Sequence, residues 1–194
     1  MKRPKEDKTC YASPEQRKIL VELAQAKILP TDFFLTGGTA LAVFYLHHRI
    51  SNDLDLFTAH EVNLAELDFA VKMQWRQRYH KIKDSQNFLS LLLDDVKVEF
   101  VVDLLASREK RPAYQLETDA SVQIDSLSNI LSNKLTTLAS RTEPKDFVDF
   151  YYLSKSLKIS LFESVYQEAA KKDAIFDYPP TAAYQIERGC NFLR

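Results

Sequence analysis

The chain has 194 residues, 45% of them hydrophobic and 27% charged, a mixture able to bury a sizeable core in one domain or two small ones. Lys+Arg is 26 against 27 Asp+Glu, a net charge of −1, which gives no sign of a general coater of nucleic acid or an acidic tail protein while leaving room for a local basic patch. Gly occurs only 3 times, and two of the three are adjacent, Gly37-Gly38, so a special backbone geometry is expected there.

The charged start, Met1 to Lys8, is followed by no apolar run, so it does not read as a signal peptide. Lys2, Arg3, Lys5 and Lys8, interleaved with acids, read as a solvated, disordered arm. Cys10 and Cys190 stand near opposite ends without paired spacing, as two free thiols of a reducing, cytoplasmic setting. Ser13-Pro14-Glu15 opens a helix with an apolar face of Ile19, Leu20, Leu23 and Ala26, and Pro30 stops it. Phe33 to Thr36 reads as a short buried strand, Gly37-Gly38-Thr39 as a turn, and Ala40 to His48 as an apolar helix capped by Thr39. The apolar run Ala40 to Leu46 is too short to cross a bilayer. Asn52 to Thr58 alternates as a strand, with Leu54 and Leu56 on one face and Asp53, Asp55 and Phe57 on the other.

Asn63 to Arg78 is expected to be helical, and Phe88 to Leu93 with Val96 to Leu105 to form a hairpin about Asp94-Asp95. Near Arg108 to Pro112 the character changes. Beyond a short strand at Val122 to Ile124, helices are expected over Leu127 to Ser140, Pro144 to Ser156, Leu161 to Lys172 and Thr181 to Phe192. The expected architecture is therefore α/β (α+β): a small mixed sheet with flanking helices in residues 1–110, then a helical region, 111–194, packing on the active site.

Chemistry concentrates in the strand–Gly-Gly–helix unit and the strand after it. Two glycines at a helix N-terminus let backbone N–H groups approach a phosphate, to which Thr39 can add its hydroxyl; a tight turn between crowded elements is the other reading. The spacing is neither a P-loop nor a dinucleotide fingerprint. Asp53 and Asp55, at i and i+2 of a strand, share one face about 6–7 Å apart. Without a cation they repel; Mg²⁺, which favours one or two carboxylates together with phosphate oxygens and water, reverses that. Glu99 is an acid inside the otherwise apolar strand Val96 to Val102 and stands as third metal ligand or base, or as half of a structural ion pair. Asp103 shares its parity but sits at the strand end, where capping is expected. A site of this kind suits phosphoryl or nucleotidyl transfer by positioning and charge neutralisation.

The segments Phe34-Leu35-Thr36-Gly37-Gly38-Thr39-Ala40-Leu41 and His48-Arg49-Ile50-Ser51-Asn52-Asp53-Leu54-Asp55-Leu56-Phe57 resemble the nucleotidyltransferase superfamily, specifically its AbiEii/AbiGii toxin branch. Asn133 to Arg141 and Pro144 to Leu153 are similar to the downstream elements of the same branch. The resemblance implies a nucleotidyltransferase fold and an NTP- and Mg²⁺-dependent transferase, in several members acting on RNA, notably the tRNA 3′ end. It also implies a toxin encoded beside an antitoxin, with roots in phage defence. It places Gly37, Gly38 and Thr39 in the phosphate cradle, Asp53 and Asp55 on the metal, Glu99 where other members carry Asp, and Lys134 and Asp146 in the NTP pocket.

Helix spacing separately puts Lys134 beside an apolar stripe, near a triphosphate or snorkelling to water. Asp146 and Asp149 share a face and can orient Lys134 or Arg141, or serve as first-turn acids. Arg49 can contact phosphate, while Ser51 orders the turn. His47 and His48, being adjacent on a helix, point to different sides and do not read as a shared metal site. Phe147, Phe150 and Tyr151 read as packing rather than a base-stacking platform. Two alternatives keep the fold: transfer to a small molecule or protein, or a degenerate nucleotide-binding scaffold without catalysis.

Overall fold

The computed structural model describes residues 3–26, 28–30, 32–156 and 159–192. It divides into two compact units, Met1–Asp125 and Ser126–Arg194. The first is built on a seven-stranded mixed sheet in the order β3-β4-β5-β2-β1-β7-β6. Its strands are β1 (Phe34–Thr36), β2 (Leu54–Thr58), β3 (Tyr79–Ser85), β4 (Phe88–Leu93), β5 (Val96–Val102), β6 (Ala113–Glu117) and β7 (Ala120–Ile124). β1 and β2 are antiparallel, whereas β2–β5 and β1–β7 are parallel. Helix α1 (Pro14–Gln25) opens as the sequence predicts: Ser13 caps it by accepting from the Gln16 N–H, and Pro14 takes the first turn. Ile19, Leu20 and Leu23 are its buried stripe. Helix α3 (Leu64–Trp75) is capped by Asn63.

The hairpin β6–β7 joins the sheet through β7 and β1, so the first unit reaches Asp125 rather than ending near residue 110. Two strands were not visible in the sequence, β3 and β6, and they are the two sheet edges. Nearly all of β3 and most of β6 is exposed, so neither shows the alternation that marks a half-buried strand. β3 carries Lys81 and Lys83, charged side chains that guard an open edge.

The expected helix Ala40 to His48 is also different. Helix α2 (Gly37–Leu41) begins at the first glycine and runs into a π turn over Ala42–Leu46. Its N-cap residue is Thr36, not Thr39, and no side chain caps it. The turn ends at His47, whose φ of 54° is left-handed. The N-terminal segment is not a disordered arm from Lys5 onward: the Lys5 and Asp7 N–H groups donate to the carbonyls of Phe44 and Val43, both at 2.8 Å. Lys2 lies outside the described residues.

A buried network holds the C-terminal ends of β1 and β7. Thr36 Oγ1 donates to Asp125 Oδ2 at 2.6 Å, and Arg111 Nε donates to Asp125 Oδ1 at 2.8 Å. The Asp125 N–H donates to the Leu35 carbonyl, and Tyr45 OH donates to the Asp125 carbonyl. The Arg111 guanidinium also covers the Phe34 ring at 3.5 Å from its centroid. Burial, with Asp125 and Glu109 nearby, pushes the Tyr45 phenol up to about 12. Thr36→Val removes one bond to a buried carboxylate while keeping the shape, and is expected to cost about 1–3 kcal/mol in thermal unfolding.

The second unit is helical: α4 (Leu127–Ser140), α5 (Pro144–Ser156), α6 (Ile159–Lys172) and α7 (Pro179–Phe192). Ser126 caps α4 by accepting from the Asn129 N–H. Ile130, Leu131, Leu135, Leu138, Leu153, Val165 and Ala169 are buried. The Gly189 Cα admits the Phe147 ring so closely that a Cβ would fall 2.7 Å from it, which is the packing role expected for Phe147.

Candidate active site

The central strands bring polar side chains into one row. Ser90 pairs with Glu99, Glu99 with Asp55, and Asp55 with Thr36, across β4, β5, β2 and β1. Directly paired residues share a face, and neighbouring strands lie about 4.8 Å apart, so Asp55 and Glu99 stand side by side. Leu54 and Leu56 turn the other way and are fully buried. Asp53 lies just ahead of β2 with the parity of Asp55. The two acids of the motif and the lone acid of β5, separated widely in sequence, therefore converge on one edge of the core.

Lys97, two residues before Glu99 and on its face, is the side chain that the sequence reading missed. Its Nζ lies 2.5 Å from Glu99 Oε1, and Ser90 Oγ donates to the same oxygen at 3.4 Å. Burial lowers the Lys97 pKa, but the bond to Glu99 and the fields of Glu99, Asp53 and Asp55 outweigh it, leaving the ammonium above its ordinary value. The carboxylate face thus already draws in a positive charge.

The glycines have distinct tasks. Gly37 has φ +67°, and a Cβ there would fall 2.1 Å from Asp55 Oδ2. A Cβ on Gly38 would fall 2.4 Å from Arg49 Nη2 and 2.8 Å from Ser51 Oγ. The turn is therefore bare so that the Asp55 carboxylate and the Arg49 guanidinium can lie against it. Gly37→Ala combines a left-handed L-residue with a clash on Asp55 and is expected to cost about 1–2 kcal/mol in the backbone alone. Thermal unfolding checks this, and displacement of the Asp55 carboxylate is expected to lower activity beyond what the stability loss explains.

Thr39 has no exposure, and its hydroxyl donates to the Asp53 carbonyl rather than outward. Gln16 Nε2 donates to the same carbonyl at 3.4 Å, while its Oε1 accepts from the Ala12 N–H at 2.8 Å. Thr39 and Gln16, the latter not singled out in the sequence, pin the backbone that presents Asp53. Ser51 is buried; its N–H donates to the Cys10 carbonyl, which orders the turn as expected. Arg49 Nη1 donates to the Ile50 carbonyl. Asp103 accepts from the Leu105 N–H, a loop role.

Lys134 and Asp146 form a separate constellation within the helical unit. Lys134 Nζ lies 2.7 Å from Asp146 Oδ1 and 2.7 Å from Asp149 Oδ2, and both aspartate side chains have 0% exposure. Arg141 Nε donates to Asp146 Oδ2 at 2.8 Å. The lysine head does not snorkel to water. Burial raises the Asp146 pKa, but Arg141 and Lys134 overcome it and hold the carboxyl below its usual range.

The sequence profile described as "Nucleotidyl transferase AbiEii toxin, Type IV TA system" matches residues 18–188. A curated relative, the uncharacterized protein aq_aa25 of Aquifex aeolicus (strain VF5), is 31% identical over 144 residues, covering 73% of this chain and 66% of its own length. The chain thus spans just under two thirds of that relative. Among solved structures, ANT(2″)-Ia in complex with adenylyl-2″-tobramycin superposes with a TM-score of 0.57 at 16% identity, over 82% of this chain and 98% of that one. The MenT4 nucleotidyltransferase toxin of Mycobacterium tuberculosis H37Rv superposes with a TM-score of 0.55 at 16% identity, over 80% and 61%. These likenesses show the nucleotidyltransferase fold. No helix among the described residues is long and apolar enough to cross a membrane.

Proposed function

The chain belongs to the nucleotidyl transferase AbiEii toxin family, and we propose that it transfers a nucleoside monophosphate from an NTP to the 3′ end of an RNA, a tRNA, in the cytoplasm, as the toxin of a type IV toxin–antitoxin pair with phage-defence roots. The observation that carries this reading is the register that sets Asp55 of β2 beside Glu99 of β5 and opposite Thr36, the residue just before the Gly-Gly turn, with Asp53 ahead of it.

Asp53, Asp55 and Glu99 are the residues that would hold Mg²⁺. The fit rests on a property of this chain: the carboxylate face recruits the Lys97 ammonium as an internal counter-ion. Glu99, one methylene longer than Asp, supplies the same charged oxygens from β5. When bound, the metal would supply charge neutralisation at the phosphates and at the attacking oxygen. Gly37 and Gly38 let phosphate approach the α2 backbone, and Arg49, lying against Gly38, contacts phosphate oxygens. Thr39 and Ser51 fix the cradle. Lys134 and Asp146, matched by the family resemblance to the NTP pocket, act as positioning residues through the bonded set they share with Asp149 and Arg141.

Lys97 then competes with the metal for Glu99. Lys97→Met is expected to strengthen Mg²⁺ binding several-fold in calorimetric titration; unchanged or weaker binding would contradict this competition.

The acceptor is tested by incubating the protein with each NTP labelled at the α-phosphate, Mg²⁺ and total RNA. Label at RNA 3′ ends supports the RNA reading, and label on protein or small molecules alone rejects it. A small-molecule or protein acceptor is the second reading. It is favoured by the pairing of Arg17, Arg78, Lys81, Lys97 and Arg111 with carboxylates, which leaves less basic surface for a polyanion. A scaffold that binds nucleotide without catalysis is the outcome if NTP binds and no label moves.

A further inference from the structure

The N-terminal segment and the end of the π turn bring together three side chains of ligating type. Asp7, Cys10 and His47 each offer a donor atom, and these donors all lie within 4.8 Å of one another. They come from two stretches distant in sequence, so no local spacing advertises them. Each is also set in place by its own backbone.

The Asp7 N–H donates to the Val43 carbonyl at 2.8 Å. Its carboxylate accepts from the Thr9 N–H and hydroxyl through Oδ1, an anchoring that coexists with ligation through the second oxygen. The Cys10 N–H donates to the Asp7 carbonyl, and the Cys10 carbonyl accepts from the Ser51 N–H. His47 is held at φ 54° with its N–H on the Ala42 carbonyl. A left-handed non-glycine and a π turn both carry a conformational cost, and such features gather at functional sites.

We propose that Asp7, Cys10 and His47 bind a thiophilic divalent cation, zinc by the chemistry of the donor set, at a site separate from the carboxylates of β2 and β5. Thiolate, imidazole and carboxylate are the three protein ligand types zinc accepts, and three of them leave the fourth tetrahedral position to water. Bonds of 2.0–2.3 Å put tetrahedral ligands roughly 3.3–3.8 Å apart, so donors that lie within 4.8 Å of one another need close by no more than about 1.5 Å on binding. One thiolate and one carboxylate balance the 2+ charge, and the imidazole adds none. Cys10, buried, enters as a neutral thiol. Binding forms the metal–sulfur bond, and the thiol proton leaves to solvent.

The bound ion would tie the segment around Asp7 and Cys10 to the loop that carries Arg49 and Ser51, the residues lying against Gly38. It would therefore stiffen the phosphate cradle from outside, without touching the transferred group. His47 and His48 follow the last helical turn instead of sharing a helix, and it is the His47 donor atom that lies beside those of Asp7 and Cys10.

Co²⁺ is the probe, added to metal-stripped Cys190→Ser protein in excess Mg²⁺. That variant lacks the exposed thiol, so any thiolate signal reports Cys10. One equivalent of Co²⁺ is expected to give intense thiolate-to-cobalt charge-transfer absorption that Mg²⁺ does not suppress and Zn²⁺ displaces. Adding Cys10→Ser is expected to abolish the band. His47→Gln, at an exposed position, is expected to weaken Co²⁺ binding at least tenfold. Absence of the band in the Cys190→Ser protein, its survival in Cys10→Ser, or unchanged affinity in His47→Gln overturns the proposal. Because the readout is absorption, it is independent of whether nucleotidyl transfer is detected.

Discussion

Asp55→Asn is expected to leave the protein folded and to cut nucleotidyl transfer on the order of 10³-fold or more, the scale seen when a group that stabilises transition-state charge is removed. That corresponds to about 4 kcal/mol of barrier. Asn preserves the shape that lies against the Gly37 Cα and removes only the charge. Stability is expected to hold or rise, because one of the mutually repelling carboxylates beside Glu99 is gone. Transfer kinetics and a thermal melt on the same preparation separate the two effects. Near-normal transfer in folded Asp55→Asn would move the chemistry away from this face.

Lys134→Met produces the opposite pattern: a large loss of stability. The lysine is the cation shared by Asp146 and Asp149, whose side chains have no exposure. Removing it leaves buried negative charge with less compensation, a change that costs about 3–5 kcal/mol. Urea unfolding monitored by helical signal measures it, and an unchanged midpoint would refute the structural role. Acid should act on the same network. The Asp146 pKa is held below its ordinary value, so the stability it confers is complete above the unfolded pKa of about 3.9 and is lost as pH falls through the lower folded value. Asp146→Asn, which has no such proton to gain, should lack that part of the acid-side decline.

The elements legible in the sequence are those whose signal is local. Gly37-Gly38, the alternation of Leu54, Asp55 and Leu56, and Glu99 within an apolar strand each carry their message within a few residues. The parallel register that joins Asp55 to Glu99 sets two of these locally marked acids side by side. Lys97 was passed over because a lysine alternating with valines resembles an ordinary solvated side chain; only its cross-strand neighbours show otherwise. Strands β3 and β6 were missed because an edge strand has no buried face to impose a period. The first unit's extension to Asp125 was missed for a related reason. The pairing of β7 with β1 is long-range, and the Thr36–Asp125–Arg111 network that locks it joins residues far apart in the chain. Thr39 looked like a phosphate donor because a hydroxyl after two glycines fits that task, but the Asp53 carbonyl is nearer to hand.

Metal-dependent nucleotidyl transfer by the carboxylate face of β2 and β5 is read out by movement of label from an NTP labelled at the α-phosphate, with total RNA, protein and small-molecule acceptors present, at controlled Mg²⁺. The expected result is transfer by the wild-type chain that chelation abolishes, Mg²⁺ restores, and Asp53→Asn or Asp55→Asn eliminates. Failure of the folded wild-type protein to move label to any acceptor, or transfer that persists undiminished in both variants, would contradict it.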